Sequence, residues 1–155
     1  MGAVEDRLEG LGLTLPEPRP PAGLYSPVVV DGDLAFTSGL VAIENDAIAY
    51  VGTLGADLTI EEGQRSARGA CLLALGTLGQ AIGGLDRVER VLKLMGYVRS
   101  LPEFGDLPPV LDGASEVLIQ AFGEAGRSAR STVGVAALPK GASVELDLIV
   151  RLRSA

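Results

Sequence analysis

Ala129-Arg130-Ser131-Thr132-Val133-Gly134-Val135 and Ala142-Ser143-Val144-Glu145-Leu146-Asp147-Leu148, joined through Leu138-Pro139-Lys140-Gly141, read as two successive strands at the end of the chain. In the second, Val144, Leu146, Leu148, Val150 and Leu152 alternate with Glu145, Asp147, Ile149, Arg151 and Arg153, as on a sheet with one buried face. Just upstream, Ala114 to Gly123 carries a short helical pattern, and before it Val88 to Val98 is aliphatic on both faces, as in a central strand ended by Leu101-Pro102-Glu103-Phe104. Thr59-Ile60-Glu61-Glu62 is a capping box, so a long helix starts there; Ala67, Ala70, Cys71, Leu73, Ala74, Leu78 and Ile82 carry it to a stop at Gly83-Gly84. Its glycines Gly69, Gly76 and Gly79 suggest close approach to a sheet.

Farther out, Tyr25 to Val30, Leu34 to Ser38 and Ala47 to Val51 form a β-meander with turns at Asp31-Gly32-Asp33 and Glu44-Asn45-Asp46. Residues 1–22 hold a short helix over 3–10 and an extended arm, Leu15-Pro16-Glu17-Pro18-Arg19-Pro20-Pro21. The order β-meander-α-β-α-β-β predicts a single α+β domain over 1–155, a mixed sheet with two helices on one face.

Composition removes several chemistries. The 155 residues include no histidine and one cysteine, Cys71, which leaves no intrachain disulfide, no Cys-His dyad and no thiolate/imidazole zinc site. A net charge of -7 opposes polyphosphate binding, so no nucleic-acid partner is expected. Neither a secretory leader nor a spanning apolar run is visible, which predicts a cytoplasmic protein without a membrane partner. The glycine pairs lack phosphate-loop spacing, and Lys93 and Lys140 lack the Ser-x-x-Lys context. Asp31 and Asp33 could offer carboxylates to a cation, but Asp-Gly between apolar runs is first a tight turn. Neither a metal nor an organic cofactor is expected.

Arg130 has an obvious chemical use, since a guanidinium is a permanently charged fork that matches a carboxylate. The competing reading is a strand-end arginine paired with a surface acid. Ala129-Arg130-Ser131, Val133-x-Val135, Leu138-Pro139 and Val144-Glu145-Leu146-Asp147, with Tyr25 and Thr37-Ser38-Gly39 upstream, resemble the signature of the Rid family, the YjgF-like reactive-intermediate deaminases. The resemblance runs from about Tyr25 to the end. It implies a chorismate-mutase-like fold, a homotrimer with ligand clefts between subunits, and a small carboxylate metabolite as ligand.

It further implies that Arg130 holds the substrate carboxylate, that Glu145 positions or activates a water, and that Tyr25, Ser38, Gly39 and Thr132 line the pocket. The implied reaction is hydrolytic deamination of 2-imino or enamine acids to 2-keto acids. Alternatives are a trimer that binds keto or amino acids without turnover, and the endoribonuclease activity attributed to some relatives. The chain departs from the commoner pattern at Leu40, where many members have Gln, and at Thr132, where many have Cys. The family's second-helix asparagine has no clear match, Asp112 and Glu116 being the nearest candidates.

If the last two strands formed a hairpin, Arg130 would pair near Val150 or Arg151 and Glu145 near Val135 or Ala136. Five residues at ~3.3 Å each separate them by about 16 Å, so one small ligand could reach both only across a subunit interface.

Overall fold

A computed structural model describes residues 2–154 of the chain. Helix α1 (Ala3–Gly10) is followed by strands β1 (Val28–Asp31), β2 (Leu34–Thr37), β3 (Leu40–Val41), β4 (Ile43–Glu44) and β5 (Ala47–Ile48). Helix α2 (Ile60–Ile82), strand β6 (Val88–Arg99), helix α3 (Leu107–Phe122), strand β7 (Ala129–Val135) and strand β8 (Val144–Leu152) complete the fold. The main sheet runs β1-β2-β8-β6-β7, with β3 continuing beside β8 where β2 leaves it. Thr37 fills the gap, its Oγ1 accepting from the Leu148 amide at 2.9 Å. This is the predicted α+β architecture with the helices on one face, α1 adding to that layer by packing on α3.

The predicted capping box closes as drawn: Thr59 Oγ1 accepts from the Glu62 amide at 3.2 Å, and Glu62 accepts from the Thr59 amide at 2.8 Å. Helix α2 stops where Gly83 turns left-handed at φ 82, a conformation that costs glycine nothing. Gly69, Gly76 and Gly79 meet Ala42, the Pro16 carbonyl and Leu85, all outside the strands. A Cβ on Gly76 would sit 2.6 Å from the Pro16 carbonyl oxygen, so the proline arm lies flat along α2, with Leu13 and Leu15 against the core.

Two boundaries move for physical reasons. Helix α3 begins at Leu107, seven positions before Ala114, because Pro108 and Pro109 occupy its first turn, where a missing N–H costs nothing. The third meander strand shrinks to Ala47–Ile48, paired with β4 through a turn in which Asn45 and Asp46 both have positive φ; Tyr25 and Ser38 fall just outside β1 and β2.

The larger correction concerns the end of the chain. Strands β7 and β8 are not a hairpin: β6 lies between them, parallel to β7 and antiparallel to β8. Helix α3 is the crossover that makes the β6–β7 pair parallel, which a two-residue turn could not do. Leu94, Leu148 and Val150 point into the helix layer at 0 % exposure. All the helices lie on that side, so the opposite face is open, with Val29 53 %, Phe36 37 % and Val133 39 % exposed.

Candidate functional site

Register fixes where each predicted residue points. Arg130 is level with Leu94, which faces the helices, so Arg130 lies at the start of β7 on the helix side, against α3. Its Nη1 donates to Asp112 Oδ1 at 2.6 Å and to Ser115 Oγ at 3.0 Å, and its Nη2 donates to the Pro108 carbonyl at 3.2 Å. Ser115 lies three positions after Asp112 on α3, so one helix face presents both to the same nitrogen. A guanidinium has five N–H donors; three are used, and two remain for a ligand. The side chain is 24 % exposed and opens onto a cavity of about 420 Å³, whose wall also carries Glu116, Ile119, Arg127 and Ser128. Of the two acids expected near this site, Asp112 touches Arg130, whereas Glu116 accepts from Arg68 at 2.9 Å. Thr132 is level with Gly96 and shares the helix side with Arg130, two positions along β7.

Glu145 is elsewhere. It is level with Tyr97 on β6 and Val41 on β3, on the open face. From Leu148, which is level with Arg130 through Leu94, three residues and two strand spacings lead to Glu145, on the order of 14 Å between backbones, with side chains on opposite faces. The hairpin was the wrong premise, yet within one chain the two groups remain apart. Gly39 is beside Glu145: a Cβ there would lie 2.9 Å from Glu145 Cδ, so glycine leaves the space the carboxyl occupies. Ser38 is fixed by its amide donating to the Pro27 carbonyl at 2.8 Å, and Tyr25, two positions before Pro27, accepts on its hydroxyl from the Ala22 amide at 3.2 Å. Leu40 packs against the hydrophobic core rather than facing Glu145, so the Gln-to-Leu departure places no apolar side chain over the carboxyl.

Two neighbours of Glu145 were missed by sequence reasoning, although the alternation of β8 puts Asp147 on the same face. Tyr97 Oη donates to Asp147 Oδ2 at 3.2 Å. Burial, and then the Asp147 charge, push the Glu145 carboxyl above its usual range. Asp147 is also raised by burial, with the Tyr97 hydrogen bond partly offsetting it, and Tyr97 is raised by burial and by the adjacent carboxylates. A carboxyl held above its usual range is suited to taking and returning a proton nearer neutrality.

Two expected outcomes follow locally. Glu145 binds its proton more tightly folded than unfolded, so the strain its charge adds is absent below the ordinary carboxylate range and grows as pH rises through the raised value. Glu145→Gln should therefore raise the unfolding free energy at pH 7, by less than about 1 kcal/mol after solvent screening, with the gain gone by pH 4; an equal gain at both pH values in chemical denaturation would contradict the burial account. Gly39→Ala should leave stability within about 1 kcal/mol, because only the end of a flexible side chain must move. It should also displace the Glu145 carboxyl, visible as a shifted titration of that group by carbon-13 NMR.

Comparison with known proteins places these features in context. A family model described as "YjgF/chorismate mutase-like, putative endoribonuclease" matches residues 5–151. Protein TCP17 of Trypanosoma cruzi is 42% identical over 154 residues, covering 99% of this chain and 96% of the relative. The crystal structure of Atu1372, a protein of unknown function from Agrobacterium tumefaciens, has a TM-score of 0.90 at 39% identity, covering 97% of this chain and 92% of its own. That of a "putative endoribonuclease" from Shewanella oneidensis has a TM-score of 0.93 at 35% identity, covering 97% and 100%. Among the described residues no helix is long and apolar enough to cross a membrane.

Proposed function

Since the chain belongs to the YjgF/Rid family, we propose that it deaminates small 2-imino or enamine carboxylic acids, with Arg130 as the carboxylate clamp and Glu145 as the proton carrier. The observation that carries the reading is Arg130 itself, braced by three bonds on one side and left with two free donors at the mouth of a cavity. A carboxylate on those donors is fixed in position and orientation, and with it the adjacent C=N carbon. Water adds to that carbon as Glu145 takes its proton. Glu145 returns that proton to nitrogen, the C–N bond breaks as the added hydroxyl gives up its own proton and becomes the carbonyl oxygen, and ammonia leaves a 2-keto acid; an enamine first takes a proton at its terminal carbon to become the imine. The imine is already electrophilic, so this chain's residues need only position it and move protons.

Arg130 and Glu145 lie on opposite faces of one sheet, so the proposal includes a homotrimer in which Arg130 of one copy meets Glu145 of the next. The open face supports self-association. Val29, Phe36, Ile149 and Lys93 are level across the sheet, and this mainly apolar row has no helix over it. Tyr25, Ser38, Gly39 and Thr132 would line the cleft between copies. A reducing, cytoplasmic setting fits a chain whose one cysteine, Cys71, is buried and free, its thiol pushed up by burial.

Ribonuclease activity, suggested by the names of some relatives, has less support here: the net charge is -7 and there is no histidine for general acid–base cleavage. The test of the proposal is keto-acid release from an enamine generated in situ from serine or threonine. Acceleration by the wild type and none by Arg130→Ala supports it; equal rates refute it, and tight keto-acid binding without turnover would make the protein a carboxylate binder instead.

A further inference from the structure

The Arg130 clamp does not stand alone in its cavity, and its companion changes what the site selects. Asp112 Oδ1 accepts from Nη1 at 2.6 Å, while Oδ2 has no hydrogen-bond partner among the described residues. The other charges on the wall are engaged: Glu116 with Arg68, and Arg127 with Glu124. The free groups are therefore two N–H donors of Arg130, on Nε and Nη2, and one oxygen of the carboxylate bonded to the same guanidinium. The pair is locally neutral. A ligand bearing only a carboxylate gains the arginine and meets the Asp112 charge; one that also carries a cationic nitrogen on the adjacent carbon gains both.

Resting on the reading of Arg130 as the clamp, we propose that Asp112 makes this cavity selective for zwitterions, 2-amino and 2-iminio acids, over 2-keto acid anions. The consequence for turnover is directional. Deamination of a 2-iminio acid removes the cationic nitrogen as ammonia and leaves an anion, so Asp112 favours the substrate over its own product and hastens release. Asp112 acts here as a specificity residue, needing no proton of its own.

Calorimetric titration of the full chain with L-alanine and with pyruvate tests this directly, since the two differ in the group on the second carbon. Wild type should bind alanine about tenfold more tightly than pyruvate, the size of a charge contact at a half-exposed site. Asp112→Asn keeps the shape and an acceptor for Arg130, and should cancel or reverse the preference. If wild type binds pyruvate as tightly as alanine, or Asp112→Asn leaves the ratio unchanged, with pyruvate binding still lost in Arg130→Ala, the role of Asp112 is overturned and the clamp stands. If neither compound binds the wild type, the clamp falls and this inference with it.

Discussion

Arg130→Ala should lower kcat/KM for a 2-imino acid by about a hundredfold to a thousandfold while the chain still folds. Two charge-assisted hydrogen bonds from a guanidinium to a carboxylate contribute about 1.5–3 kcal/mol each, and about 3–4 kcal/mol corresponds to that loss. The structural cost is smaller. The bonds lost within the chain end on Asp112, which is 54% exposed and can hydrate, on Ser115, and on a carbonyl in the first turn of α3. Circular dichroism and a melting temperature within a few degrees of wild type should accompany the lost activity. A variant that unfolds would mean that the arginine holds α3 to β7, and a folded, active one that it holds nothing that reacts.

Gly113→Ala should cost a large share of the chain's stability. Helices α2 and α3 meet there at backbone distance: a Cβ on Gly113 would lie 2.8 Å from the Gln64 carbonyl carbon and 3.0 Å from its Cα. No side chain can swing aside, so the helices must part. Overpacking of this kind costs about 1–3 kcal/mol and sometimes more, against a total stability of about 5–15 kcal/mol. The displacement would also reach the site, because Asp112 precedes Gly113 and Ser115 follows two positions later on the helix that braces Arg130. Chemical denaturation measures the first effect. Loss of the alanine-over-pyruvate preference measures the second, and a variant as stable as wild type would contradict a backbone-to-backbone contact between the helices.

The parts of the fold that were legible in the sequence are those set by local chemistry. Thr59 and Glu62 announce the start of α2, Gly83 its end, and the alternation from Val144 to Leu152 the buried face of β8. The error lay in connection. Two consecutive strand patterns separated by a short proline–glycine segment suggest a hairpin, but a strand's neighbour is chosen by which gap in the sheet the preceding helix leaves. Because α3 returns the chain parallel to β6, β8 fills the space on the far side, between β6 and β2.

The candidate residues were named singly from the sequence, and what surrounds each of them was not. Arg130 and Glu145 were named from pattern and resemblance, and Gly39 lies against Glu145. Asp112 was named as a candidate, but its bond to Arg130, those of Ser115 and the Pro108 carbonyl, and the Tyr97–Asp147 pair were not legible, because they arise from register. Asp112 reaches Arg130 only once α3 extends back to Leu107, and Tyr97 reaches Asp147 only because β6 is the strand beside β8.

The central claim is that a working site takes Arg130 from one copy and Glu145 from another. Mixed assembly of Arg130→Ala and Glu145→Gln chains, each inactive alone, tests it most directly. In randomly mixed trimers from equal amounts, about one interface in four joins an intact arginine to an intact glutamate, so about a quarter of wild-type activity should return. Mixed assemblies, verified by two affinity tags, that stay at background while wild type turns over substrate would contradict the account.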